Sequence, residues 1–208
     1  MSRCEGLKIC NHLRIALIGN QNNNYFALAR YLRDLGFDCH LMLFLDEDEH
    51  FNPKADSYDL DYQDWLIQTE WIQSDFSPSA QKIREDLADY DVLIGCGWTP
   101  AFLQKAGITL DIMIPYGYDI YEATEYRIVA PHKLLQYLSM VFYQRRGISR
   151  VKIFHCPANK KSDPYYVRQK KFAPTAQHWN CGTPIVYSPA YEKNKILNNF
   201  LNNKFKIL

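Results

Sequence analysis

The chain has 208 residues, 47% of them hydrophobic, 23% charged and 14% aromatic. That composition excludes a disordered segment, a fibrous repeat and a disulfide-stapled mini-protein. A formal charge of only +1 conceals a polarity: residues 1–104 carry 8 basic and 17 acidic side chains, net −9, and residues 105–208 carry 16 and 6, net +10.

Residues 1–13 read as an N-terminal extension in which Arg3 and Lys8 occur without the apolar core of a secretory signal. No run approaches the ~18 apolar residues a membrane-spanning helix needs. The expectation is a cytoplasmic protein, with peripheral contact at the inner face of the membrane left open. Cys4, Cys10, Cys39, Cys96, Cys156 and Cys181 contain no C-x-x-C pair, which favours reduced thiols. His155-Cys156 and His178-x-x-Cys181 supply zinc-type ligands, but their spacing matches no common structural site. No metal and no cofactor are expected.

Arg14 to Gly19 is a short apolar run ended by glycine and an asparagine-rich turn, the pattern of a buried parallel strand entering a loop. Residues 24–35 then place Phe26 or Ala27, Leu28, Tyr31, Leu32 and Leu35 at helical spacing, with Gly36 as a C-cap. Residues 37–45 read as a second strand, closing a βαβ unit that sets loop 19–24 at the carboxyl end of the first strand, where ligands gather.

From Asp46 to Ser79 acidic residues alternate with Tyr58, Tyr62, Trp65, Trp71 and Phe76. This segment is expected to be a solvated acidic insertion with short helices, anchored by its aromatics; the ordered loop of a calcium site is missing. A helix over 80–87 and a buried strand over 91–95 restore the alternation. Gly95-Cys-Gly-Trp-Thr-Pro100 forms a second glycine-bearing turn, with Thr99 as N-cap and Pro100 opening a helix to Ala106.

Residues 111–115 form a strand that stops at Pro115 and delivers Tyr116, Gly117, Tyr118 and Asp119 into a third loop. Residues 131–147 give the strongest helical pattern, apolar around most of its circumference, so that it is buried or touches a partner. A strand over 151–155 and a basic helix or turn over 162–172 opened by Ser162-Asp163-Pro164 follow, and Pro184-Ile-Val-Tyr187 closes the regular pattern. The last 21 residues form a tail rich in Lys and Asn. Strands alternating with helices specify an α/β fold, an open and mostly parallel sheet with helices on both faces.

The loop Gly19-Asn-Gln-Asn-Asn-Asn24 could bind an anionic or hydroxyl-rich ligand through helix-terminal N–H groups and amides, or be a capped surface turn. It is not a dinucleotide fingerprint, because G-x-G-x-x-G needs glycines where Gln21 and Asn24 stand, and no P-loop occurs. Asp119 is either a base beside a substrate hydroxyl or the cap of its own turn. No G-x-S-x-G elbow anchors hydrolase chemistry. Between Arg145 and Lys171 nine basic residues face one acid, with Phe154, Tyr165 and Tyr166 interleaved. That segment is a solvated face or a surface for an anionic membrane or acceptor; nucleic acid is disfavoured because no recognition motif accompanies the charge.

Residues 14–29 resemble the opening of the N-terminal domain of GT-B glycosyltransferases of the family-four-like retaining group. Asp91 to Ala101 and Ile114-Pro-Tyr-Gly-Tyr-Asp119 resemble that family's second glycine loop and its proline-tyrosine-glycine-x-aspartate segment, and Pro184-Ile-Val-Tyr187 resembles the domain's end. The resemblance implies a Rossmann-like acceptor-side domain over 14–187 with the insertion at 46–79. No E-x7-E pair is present, so transfer would need a donor-binding subunit or a missing C-terminal domain. It implies a substrate site at Gly19, Asn20, Asn23, Asn24, Tyr25, Gly97, Trp98, Tyr116 and Gly117, with Asp119 as catalytic carboxylate. The acceptor would be a saccharide or a lipid-linked one. The other expectation is a non-enzymatic docking module using the basic-aromatic surface.

Overall fold

The computed structural model describes residues 13–55, 61–156, 162–180 and 187. Seven strands form one parallel sheet: β1 (Arg14–Ile18), β2 (Asp38–Leu43), β3 (Leu66–Gln68), β4 (Val92–Gly95), β5 (Ile112–Met113), β6 (Ile153–His155) and β7 (Gln177–Trp179). Their order is β3-β2-β1-β4-β5-β6-β7, so the direction of winding reverses between β1 and β4. The sheet is a Rossmann-like α/β fold, as the alternation of strand and helix implies.

The strands are apolar on both sides, and their alternate residues feed two cores. Ile15 and Leu17 of β1 join Leu41 and Leu43 of β2, Tyr25 and Phe26 on one face. Ala16 and Ile18 join Met42, Phe44, Phe102 and Val141 on the other. Helix α1 (Asn24–Asp34) covers the first face, while α3 (Thr99–Ala106) and α5 (Leu134–Ile148) belong to the second, with α2 (Ala80–Leu87) beside α3 and the short α4 (Tyr118–Tyr121) after β5. Two-sided burial is what a fully parallel sheet requires.

Gly147 lets α5 lie directly on the start of α3, since a Cβ there would stand 2.2 Å from the Pro100 carbonyl oxygen. The expectation that this helix is apolar all round is met unevenly. Met140, Val141 and Ile148 are buried, whereas Leu135 and Phe142 are exposed.

In the segment 46–79, expected as an acidic insertion anchored by its aromatics, the anchoring residues are buried in both cores. Tyr62 and Trp65 lie under the α1 face and Trp71 and Phe76 under the α3 face, while Tyr58 lies outside the described residues. Between them Leu66–Gln68 adds β3 to the sheet edge, paired with Leu41 to Leu43. A three-residue strand has too little alternation to stand out from a turn-rich stretch. Strand β7 escaped the sequence reading for the same reason. The closing segment 184–187 lies outside the described residues except for Tyr187, whose hydroxyl donates to Asp34. The N-terminal extension and the Lys/Asn-rich tail also lie outside the described residues.

Candidate functional site

Three loops leave the carboxyl ends of β1, β4 and β5 side by side. Gly19 turns with φ +81°, a conformation that disfavours a side chain, and a Cβ there would stand 3.1 Å from the Cys96 sulfur, so the first two loops approach closely. Thr99 ties the second loop to the first by donating from Oγ1 to the Ile18 carbonyl at 3.0 Å.

Asn20 is fully buried and organises the first loop. Its Oδ1 accepts from the Phe26 N–H at 2.9 Å, satisfying a donor in the first turn of α1. Its Nδ2 donates to Asn23 Oδ1 and to the Phe51 carbonyl. Its own N–H donates to Glu47 Oε1 at 2.7 Å, and Glu47 Oε2 accepts from Phe44 N–H at 3.1 Å. Asn23 Nδ2 reaches the His50 carbonyl at 3.1 Å. Thus the place where a dinucleotide pyrophosphate would meet a helix N-terminus is filled by an asparagine side chain and backed by a carboxylate. The residues present do not fit such a group.

Asp119 binds the other two loops together. It is fully buried, and its carboxylate accepts from Gly97 N–H at 3.1 Å, Tyr116 N–H at 3.1 Å and Gly117 N–H at 3.0 Å. These are the contacts of a turn clamp, the second of the two roles that the sequence left open. Behind the clamp, Gln144 of α5 donates from Nε2 to the Gly97 carbonyl at 2.8 Å and accepts at Oε1 from Ala101 N–H at 3.1 Å.

Burial sets the protonation of both carboxyl groups. Desolvation pushes Asp119 up to about 6 against the pull of its backbone donors. It pushes Glu47 up to about 7, where the Asn20 and Phe44 amides oppose it and the neighbouring Asp46 and Asp48 add to it. Burial likewise raises the Tyr25 and Tyr116 phenols and the Cys96 thiol.

Several polar atoms in this crevice have no protein partner. Asn24 and Tyr25 are 8% and 1% exposed, yet Asn24 Oδ1 and the Tyr25 hydroxyl make no hydrogen bond, and neither does the buried Gln21 Oε1. The Tyr25 hydroxyl lies beside Cys96 and the Ile114 backbone without bonding geometry to either, in the field of Tyr116 and Asp119. Tyr25 and Tyr116 meet edge to face, with centroids 6.1 Å apart. Space is open at Gly97, where an added Cβ would meet only Gln21 Nε2 at 3.9 Å, and at Gly117, where it would meet nothing within 4 Å.

The structure therefore brings Gly19, Asn20, Asn23, Asn24, Tyr25, Gly97, Tyr116, Gly117 and Asp119 to one edge of the sheet. Trp98 sits differently: it is 7% exposed, belongs to the core under α3 and meets Tyr118 edge to face, so it offers no platform to a ligand. Glu47, Gln21 and Gln144 were missed. Glu47 was hidden in an acidic run and Gln144 in an apolar helix, and only tertiary contacts distinguish either from its neighbours.

Part of the basic segment is engaged within the fold. Arg145 donates to the Thr124 carbonyl at 2.6 Å and lies over the Tyr126 ring, Lys152 pairs with Asp111, Arg150 reaches Gln104, and Arg168 pairs with Glu125. Phe154 is fully buried and the Tyr165 hydroxyl donates to the Pro115 carbonyl at 3.3 Å. Lys160 and Lys161 lie outside the described residues. Arg146, Arg150, Lys152 and Lys171 remain exposed on this segment. Among the described residues no helix is long and apolar enough to cross a membrane, and no cluster of three or more metal-ligating side chains occurs.

No family model matches the chain, and no curated protein matches it. Among solved structures, the chain is similar to a wide-type short-chain dehydrogenase/reductase from Veillonella parvula DSM 2008 in complex with NADP. Identity is 12% and the TM-score 0.39, over 86% of this chain and 99% of that one. The glycosyltransferase resemblance is corrected here: no family model and no curated protein connects the quoted motifs to that family. At that similarity the neighbour's activity is not carried over to this chain.

Proposed function

We propose that the chain is a small-molecule-binding domain whose ligand is a hydroxyl-rich, saccharide-like molecule held outside the carboxyl ends of β1, β4 and β5. One observation carries the reading. Asn24 and Tyr25 keep a carbonyl oxygen and a hydroxyl unpartnered in a buried setting, where an unmet polar group costs about 1–3 kcal/mol unless a ligand or water meets it. The location supports it, because ligands of doubly wound sheets lie in the crevice where strand order reverses. Alternating amide, hydroxyl and aromatic groups suit a molecule that presents hydroxyls and a C–H face.

The test is a protein-observed 15N NMR titration with neutral monosaccharides and disaccharides, and with NADP and a nucleoside diphosphate. Neutral sugars should move the amide signals of Asn24, Tyr25, Gly97 and Gly117, and nucleotides should not. Nucleotide-driven shifts at these amides without any response to sugars would sink the reading.

A further inference from the structure

Helix α5 is held on three sides. The side carrying Met140, Val141, Gln144 and Ile148 is buried in the core that includes α3. Along one flank the Tyr137 hydroxyl donates to the Glu125 carbonyl at 2.7 Å, and Arg145 lies over the Tyr126 ring. Along the other, Gln136 Nε2 donates to the Ser74 carbonyl at 3.0 Å, and the Tyr143 ring packs on Phe76. The fourth side carries Leu135 and Phe142, seven residues apart and therefore on one stripe, about two turns long. They are 83% and 53% exposed, with Leu138 half-buried between them.

An apolar stripe facing solvent, directly opposite a side already buried, marks a contact surface. The loop before α5 extends it, since Ile128 is fully exposed and Tyr126 is 49% exposed. Charge identifies what the surface meets. Residues 126–162 hold eight Lys or Arg and no Asp or Glu, and the exposed Lys133 and Arg146 stand near the two ends of the stripe. Arg127 is met by Glu122 at 3.0 Å, and Asp75, on the Ser74 flank, stands beside Lys105. Two copies of the chain meeting through this face would set Lys133 and Arg146 of each against the same cations of the other. A lipid surface takes protruding side chains such as Ile128 and Leu135 without a matching pocket, and anionic headgroups complement the lysine and arginine.

We infer that the outer side of α5 and the loop before it dock on an anionic membrane surface, with Ile128, Leu135 and Phe142 entering the interface and Lys133 and Arg146 at the headgroups. Helix α5 then lies in the plane of the membrane, as an interfacial helix does. The contact is separate from the crevice loops, and it stands or falls independently of the crevice ligand.

Flotation of the full chain with vesicles of phosphatidylcholine alone, and of phosphatidylcholine mixed with phosphatidylglycerol, reads the inference directly. Binding should require the anionic lipid and weaken as salt is added, because the headgroup attraction is screened. Leu135→Ser combined with Phe142→Ser should lower partitioning at least about tenfold. Lys133→Gln combined with Arg146→Gln should lower it about tenfold on anionic vesicles. All four side chains are exposed, so the variants should keep the parent's thermal midpoint. Ile128→Ser, at a wholly exposed position, repeats the apolar test where folding is not at stake and should weaken binding about fivefold. Equal binding to neutral and anionic vesicles, binding to neither, or binding that survives the apolar substitutions overturns the inference. So does a concentration-dependent dimer in sedimentation equilibrium that Leu135→Ser abolishes while vesicles are ignored, since the stripe then covers a second copy.

Discussion

Gln144 and Gly97 lie 47 residues apart, yet the Gln144 Nε2 donates to the Gly97 carbonyl at 2.8 Å. Gly97 in turn gives its N–H to Asp119. One amide on α5 thus holds a loop whose other side is held by a carboxylate, and both held groups are buried.

Replacing Gln144 with leucine keeps the volume and leaves the Gly97 carbonyl and Ala101 N–H without their partner. Two buried backbone groups then lose a hydrogen bond, and the expected loss is about 2–4 kcal/mol of stability. Urea unfolding measures it. A loss below about 0.5 kcal/mol would mean that water replaces the amide, and that Gln144 does not hold the loop.

Gly147→Ala and Gly107→Ala separate two reasons for glycine. At 147 the new Cβ would meet the Pro100 carbonyl oxygen at 2.2 Å, so α5 must move off α3, at about 3 kcal/mol or more. At 107 there is open space and a left-handed φ of +75°, so the cost is backbone strain alone, about 1 kcal/mol. Thermal unfolding of the two variants should rank them in that order, and equal losses would contradict the close helix approach.

The pH dependence of stability follows from the two carboxyl groups. Glu47 rises from an ordinary 4.5 to about 7 and Asp119 from 3.8 to about 6 in the folded chain. Between those values the folded state holds more protons than the unfolded one. The contribution of each group is therefore fully present below its unfolded value and is lost as pH rises, between about 4 and 6 for Asp119 and between about 4.5 and 7 for Glu47. His40 and His178 act oppositely, since burial lowers both and their contribution is lost as pH falls below 6.5. The clean readout is the Tm difference between the parent and Glu47→Gln, which the histidines share. That difference should move against the parent as pH rises from 4.5 to 7.5, and a flat difference would show that Glu47 titrates normally.

Much of this was legible in the sequence, and the limits have physical causes. The run from Arg14 to Gly19, the helix after it and the glycine-bearing turn at 95–100 carry local signals strong enough to place three loops at one edge of a parallel sheet. Leu66–Gln68 and Gln177–Trp179 are strands only because neighbours pair with them, and three residues hold no period of their own. Asp119 was singled out as a carboxylate at a strand end, but whether it faces a ligand or three backbone N–H groups is decided by tertiary contacts. Trp98 is an aromatic in a loop by sequence and a core residue by its contacts. In the basic run from 145 to 171 a sequence shows charges and not their partners, and Thr124, Glu125 and Asp111 take up Arg145, Arg168 and Lys152.

Tyr25→Phe separates folding from binding at a single position. The Tyr25 hydroxyl is buried without a hydrogen bond, so its removal spares a desolvation penalty and leaves the ring's packing against Tyr116 intact. The variant should gain about 1 kcal/mol in stability, read as a rise in Tm of about 2–4 °C, while losing affinity for the crevice ligand. Stability and binding would then move in opposite directions, as expected where a polar group is kept for a ligand and at the fold's expense. A fall in Tm instead would mean that the hydroxyl has a partner in the folded chain, and the argument for an unfilled acceptor beside Cys96 would go with it.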